Sequence, residues 1–197
     1  MTLGMNLLTP ADILDKAAYE AARPEMRRRI MLEKTRRRVL VGDHCSLLFE
    51  SRDTMHYQVQ EMLRAEDSWL RPGAVDEELS AYNPLIPRSG TLSATLMLEY
   101  ETVAERAVAL PRFTGLDQHV WLEVEGTPRV LASFDSGQID AAGVSSVQYL
   151  KFRLSPEQVT RLGQDGTVVR VRIDHPAYQA QAVLGEDTRR AIAGDCR

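Results

Sequence analysis

The chain has 197 residues, ordinary apolar and charged fractions for a globular protein, and a formal net charge of −4. A chain of this size buries most of its apolar surface on folding without disulfide or metal staples, and its mild acidity offers no global basic field for nucleic acid. No run approaches the ~18 consecutive apolar residues of a membrane span, and the apolar start, Met1 to Leu8, lacks the basic segment and cleavage site of a signal peptide.

Thr9-Pro10 opens the first predicted helix, with Thr9 as cap, Pro10 in the first turn and Asp12 complementing the dipole. Ile13, Leu14, Ala17, Ala18 and Ala21 repeat at helical spacing. Pro24 is expected to end this helix and start a second, reaching about Arg38. Val39 to Ser51 is rich in β-branched and apolar residues and reads as one strand. Asp53 or Thr54 then caps a third helix, Met55 to about Glu66, and a short helix over Val75 to Ala81 follows the Pro72-Gly73 break. Asn83-Pro84 and Ile86-Pro87 mark a rigid crossing.

The second half changes period. Leu92 to Tyr100, His119 to Glu125, Arg129 to Phe134, Ser145 to Leu154, Thr167 to Asp174 and Tyr178 to Leu184 read as strands. Glu101 to Leu110 and Pro156 to Leu162 read as helices. Gly126-Thr127 and His175-Pro176 supply turns. Helices gathered early and strands late predict an α+β fold, with N-terminal helices packed on a largely antiparallel β-sheet. No linker or repeat divides the chain, so residues 1–197 read as a single domain. It is helix-rich over 9–83, strand-rich over 91–184, and carries a short C-terminal helix over 186–193.

The two cysteines, Cys45 and Cys196, show no metal-ligand spacing. Cys45 lies in an apolar run and reads as core, whereas Cys196, next to last, reads as exposed. The few cysteines and the missing export signal point to the cytoplasm and to no disulfide.

Charge is unevenly distributed. Residues 23–38 carry eight arginines and lysines against Glu25 and Glu33, and residues 50–78 carry eight acids against Arg52, Arg64 and Arg71. The two stretches either pair with each other or present a partner surface. Nucleic acid is disfavoured because no aromatics interleave the basic run.

The stretch Glu50 to Glu66 is the most unusual. At 100° per residue, Met55, Val59, Met62 and Leu63 form one apolar face, and Thr54, Tyr57, Gln58 and Glu61 gather on another. Glu66 falls back over the methionines, where a carboxylate needs an arginine or an exposed helix end. The candidate polar cluster is Glu50, Arg52, Thr54, Gln58, Glu61, Arg64 and Glu66. Gln148 is added as an inward-pointing glutamine in a strand. His44 reads as a core or edge histidine. No HExxH or ExxH spacing marks a metal site, no metal or cofactor is expected, and no GxSxG, P-loop, GxGxxG or CxxC occurs.

Five segments together carry a resemblance: LTPADILDKAAYEAARPEMRRRI, RRRVLVGDHCSLLFESRDTMHYQVQEMLRAE, EELSAYNPLIP, LSATLMLEYE and VSSVQYLKF. The set resembles the bacterial domain-of-unknown-function family 3501 from Leu8 to about Leu184. Glu50, Arg52, Asp53, Thr54, Gln58, Glu61, Arg64 and Glu66 match its polar motif. Family members often have asparagine in place of Ser51 and arginine in place of His56, which argues against His56 as an essential ligand. The family's genes tend to lie near rubrerythrin-like proteins and iron–sulfur oxidoreductases, so the resemblance implies a link to redox metabolism.

Three functions follow as expectations. The first is a non-catalytic accessory protein docking a redox partner, without nucleic acid or membrane. The second is an enzyme or small-ligand binder using the Glu50–Glu66 polar face. The third is a metal-dependent protein.

Overall fold

The structure, a computed structural model, describes residues 7–135, 139–140 and 143–196. Most of the apolar opening stretch therefore lies outside the described residues. The helices are α1 (Lys16–Arg37), α2 (Arg52–Ala65), α3 (Ala74–Tyr82), α4 (Val103–Ala109), α5 (Pro156–Leu162) and α6 (Glu186–Asp195). The strands are β1 (Arg38–Leu40), β2 (Cys45–Phe49), β3 (Thr91–Leu98), β4 (Val120–Val124), β5 (Val130–Leu131) and β6 (Ser133–Phe134). After them come β7 (Ile139–Asp140), β8 (Gly143–Val144), β9 (Val147–Arg153), β10 (Val169–His175) and β11 (Tyr178–Val183). Among the described residues no helix is long and apolar enough to cross a membrane.

The fold is α+β. A five-stranded antiparallel sheet runs β1-β2-β3-β9-β6 and a four-stranded one runs β11-β10-β4-β5. Alternation along each strand sends one face inward. Leu47, Phe49, Leu96, Leu150 and Phe152 of the first sheet belong to the same core as Leu122, Val171 and Ile173 of the second. Ile192, Ala193 and Cys196 from the C-terminal segment join that core. A second core, with Met55, Val59, Leu63, Leu79 and Ile86, lies under α2 and α3, with Tyr149 of β9 against it. The N-terminal helices thus cover the outer face of the five-stranded sheet.

Several elements depart from the sequence expectations. The first turn, Pro10–Asp12, is a three-residue 3-10 turn, and α1 begins at Lys16, where the Asp15 carboxylate accepts from the Ala18 N–H at 2.9 Å. The helix then runs unbroken through Pro24. Proline removes the N–H that the Glu20 carbonyl would accept, but both residues are exposed and water can take that place. Ala17, Ala18 and Ala21 face outward; the covered stripe is Tyr19, Arg23, Met26, Ile30, Glu33 and Arg37, spaced by three and four. Its polar members hide it from an apolar count.

Val39 to Ser51 is a hairpin rather than one strand, pairing Arg38 with Leu48 and Leu40 with Ser46. Gly42 turns it at φ +75°, in the left-handed region that suits glycine. His44 accordingly sits in an exposed turn, stacked 4.5 Å from Tyr100. Ser51, not Asp53 or Thr54, caps α2, with Thr54 completing a reciprocal capping box. The Arg129–Phe134 stretch splits between the two sheets: β5 pairs with β4, and β6 pairs with β9. Cys196 is fully buried, because its segment lies along the core and its carbonyl accepts from the Gly90 N–H at 2.8 Å.

Candidate functional site

The Glu50–Glu66 stretch begins where β2 leaves the sheet. The Glu50 N–H donates to the Ser93 carbonyl at 2.9 Å, which extends the β2–β3 ladder by one residue. Ser51 then starts α2. The Glu50 side chain is therefore held between the sheet and the helix, only 4% exposed. Its two oxygens accept from the hydroxyls of Thr54 at 2.6 Å and Thr95 at 2.5 Å. Burial pushes the carboxyl up from its ordinary value, against the pull of those hydroxyls and of the more distant Lys34 and Arg37. A buried carboxylate with hydroxyl partners instead of a cation takes up a proton more readily than a surface glutamate.

Glu50 belongs to a polar row on the helix-facing side of the sheet. Cross-strand partners share a face, so Thr95 stands with Leu48 and Tyr149, and Ser93 with Lys151. Ser46, Ser93 and Thr95 are all buried there. The row alternates with Leu92, Ala94 and Leu96, which enter the sandwich core. Gln148 pairs with Leu96, so it lies on that opposite face, and its Nε2 donates to the Ser145 carbonyl at 2.7 Å. It is buried as expected but does not join Glu50.

The rest of the cluster is divided among internal partners. Glu61 accepts from the Tyr19 hydroxyl at 2.6 Å and forms a fork with Arg23, at 2.7 Å to Nε and 2.9 Å to Nη2. The guanidinium and the phenol hold its carboxyl down at about 2, and burial with the adjoining carboxylate pushes the Tyr19 phenol up. Arg52 reaches Asp12 at 2.7 Å. That carboxylate is also held at about 2, chiefly by the Thr9 backbone N–H and then by Arg52. Arg64 pairs with Glu20 at 2.8 Å on the surface. His56 meets the Asp12 carbonyl at 2.9 Å through Nε2, and burial lowers its pKa. Gln58 lies beside the Tyr82 hydroxyl.

Of the two outcomes expected for Glu66, an arginine partner or an exposed helix end, it takes the second. It caps the C-terminus of α2 in solvent, near Glu78, whose carboxyl is raised by burial and by this neighbour. Tyr19, Arg23, Glu20 and Asp12 are the partners the sequence reading missed. No local pattern marks them, since they lie about 40 residues or more before the groups they bind. A further omission is Gln60, fully buried, whose amide has no hydrogen-bond partner among the described residues.

The arrangement clamps α1 onto α2 and α2 onto the sheet. Among the described residues, no three His, Cys, Asp or Glu side chains converge into a group that could hold a metal.

A family model described as "Protein of unknown function (DUF3501)" matches residues 7–196. The chain is also similar to a solved structure, a novel protein of unknown function from Burkholderia pseudomallei K96243, at 34% identity and a TM-score of 0.89. That match covers 96% of this chain and 99% of the other. No curated protein matches. A matching family model over nearly the whole length and a shared fold agree, and the chain belongs to the DUF3501 family of proteins of unknown function.

Proposed function

We propose that this is a non-catalytic accessory protein of the cytoplasm that docks onto a redox protein through the outer face of α1. The observation that carries the reading is the use made of the family's polar motif. Glu61, Arg52 and Arg64 are spent on Arg23, Asp12 and Glu20. A motif consumed in this way builds a platform. What the platform displays is a basic helix with Arg27, Arg28 and Arg29 exposed, followed by Met31 and by Leu32, the latter 67% exposed. Arginines beside exposed apolar side chains have the composition of a binding surface centre.

The partner that fits is a protein with an acidic patch bordered by apolar residues. The family's genomic neighbours, rubrerythrin-like and iron–sulfur oxidoreductases, are the candidates. The test is chemical cross-linking in extract of the native host, with mapping of cross-linked peptides. The reading expects an oxidoreductase or rubrerythrin-like protein joined to residues 23–38, and loss of that product in an R27E/R29E/L32D variant. Capture that the variant leaves unchanged, or no redox protein among the products, overturns it.

A second reading, a small-ligand binder or enzyme on the Glu50–Glu66 face, is favoured by one feature: among the described residues the buried Glu50 carboxyl has hydroxyls and no cation as direct partners.

A further inference from the structure

The polar row that contains Glu50 continues into a cavity of about 530 Å³ between the Pro84–Thr91 crossing and the adjoining ends of β3 and β9. Arg88, Lys151 and Arg153 line it, together with Ser89, Thr91 and Ser93, and no Asp or Glu does among the described residues. The arrangement is fixed by backbone bonds. Arg88 and Thr91 exchange N–H···O contacts of 3.1 and 2.8 Å across a tight turn, and Gly90 within it has φ +70°. The Leu154 N–H donates to the Gly90 carbonyl at 2.8 Å, which ties the turn to the end of β9. Thr91 pairs with Arg153, and Ser93 with Lys151. The cations thus stand on paired strands and a braced turn, not on a loose loop.

The site holds unspent binding capacity. Arg88 and Arg153 are exposed and pair with no carboxylate among the described residues. Among the described residues the Lys151 ammonium has one ion pair, a long contact of 3.5 Å with Asp135. Ser93 is 2% exposed, and its hydroxyl finds no hydrogen-bond partner among the described residues. An unused buried hydroxyl costs stability, and gathered like charges repel. A bound anion relieves both.

We propose that this cavity binds a small, multiply charged oxyanion, the group shared by phosphate esters and polycarboxylates. The forks of Arg88 and Arg153 grip its oxygens, Lys151 adds a point charge, and the Ser93 hydroxyl donates from the floor. The buried floor and the volume suit a small molecule. This inference is independent of docking through α1.

The test is titration calorimetry of the whole chain at low salt with pyrophosphate and, separately, citrate. Binding of either, weakened at least about 30-fold in an R88Q/R153Q variant and about threefold or more in Ser93→Ala, supports the site. Tighter binding of pyrophosphate assigns phosphate-type ligands, and tighter binding of citrate assigns carboxylates. The arginines are exposed, so the double variant folds, as circular dichroism checks. Absence of heat with both probes overturns the proposal. So does binding that neither variant changes, because it would be adventitious charge attraction elsewhere on the surface.

Discussion

Glu61→Gln isolates the charge in the clamp between α1 and α2. The amide keeps an oxygen for the Tyr19 hydroxyl and loses the negative charge facing Arg23. The carboxyl of Glu61 is held at about 2 against an ordinary 4.5. At about 1.4 kcal/mol per pH unit, that gap corresponds to roughly 3.5 kcal/mol in a fully dry site. The side chain is 23% exposed, and solvent screening reduces the figure to about 2 kcal/mol. A depressed folded-state pKa gives stability that is present above the unfolded value and lost as pH falls. The contribution is therefore complete above about pH 5 and disappears as the pH approaches 2. Urea unfolding measures it: the variant should lose about 1 M in midpoint at pH 7 with unchanged slope. The difference should shrink as the pH falls below 4.5 and close only at about pH 2 and below. A midpoint difference that stays constant from pH 7 to pH 2.5 would refute the argument, since an uncharged packing defect behaves that way.

Gly42→Ala should lower the melting temperature by roughly 6–10 °C, about 3 kcal/mol. The added Cβ would stand 2.5 Å from the Tyr178 hydroxyl and 2.9 Å from the Ala180 Cβ, on backbone at φ +75°. Scanning calorimetry reads the effect, and a drop under about 2 °C contradicts it. Neither thiol should react with a disulfide reagent in the native protein. Both are buried, and burial, with a smaller contribution from Glu99, pushes the Cys45 thiol up to about 12. Both should react once guanidinium unfolds the chain, and rapid native labelling of either would refute their placement.

The legible part of the fold was the part governed by local pattern. Strict alternation in Val169–His175 and Val147–Arg153, and the capped helix Pro156–Leu162, gave elements close to those observed. Pattern failed where polar side chains do the packing. The covered stripe of α1 holds Arg23, Glu33 and Arg37, which an apolar count discards. The Gly42 turn was hidden inside an apolar run, although a Gly-Asp pair there is a turn signal. For the site, the Glu50–Glu66 segment was recognisable from its own residues, yet its meaning depended on remote ones. Whether Glu61 faces water or Arg23 is decided by how α1 crosses α2, which no spacing within α2 encodes. The Arg88, Lys151 and Arg153 cavity was invisible for the same reason, being assembled by the pairing of β3 with β9.

The buried Arg37 guanidinium is held by Glu33 within α1 and by Asp195 at the end of α6, and Arg37 and Asp195 are 158 residues apart. During synthesis at about 5–20 residues per second, Asp195 is made roughly 8–30 s after Arg37. Until then the last turn of α1 carries a cation whose second counter-charge does not yet exist, and seating it in the interior is opposed. Full seating of Arg37 at the C-terminal end of α1 therefore awaits α6, and the ion-pair clamp between the two helices closes only once both have been made.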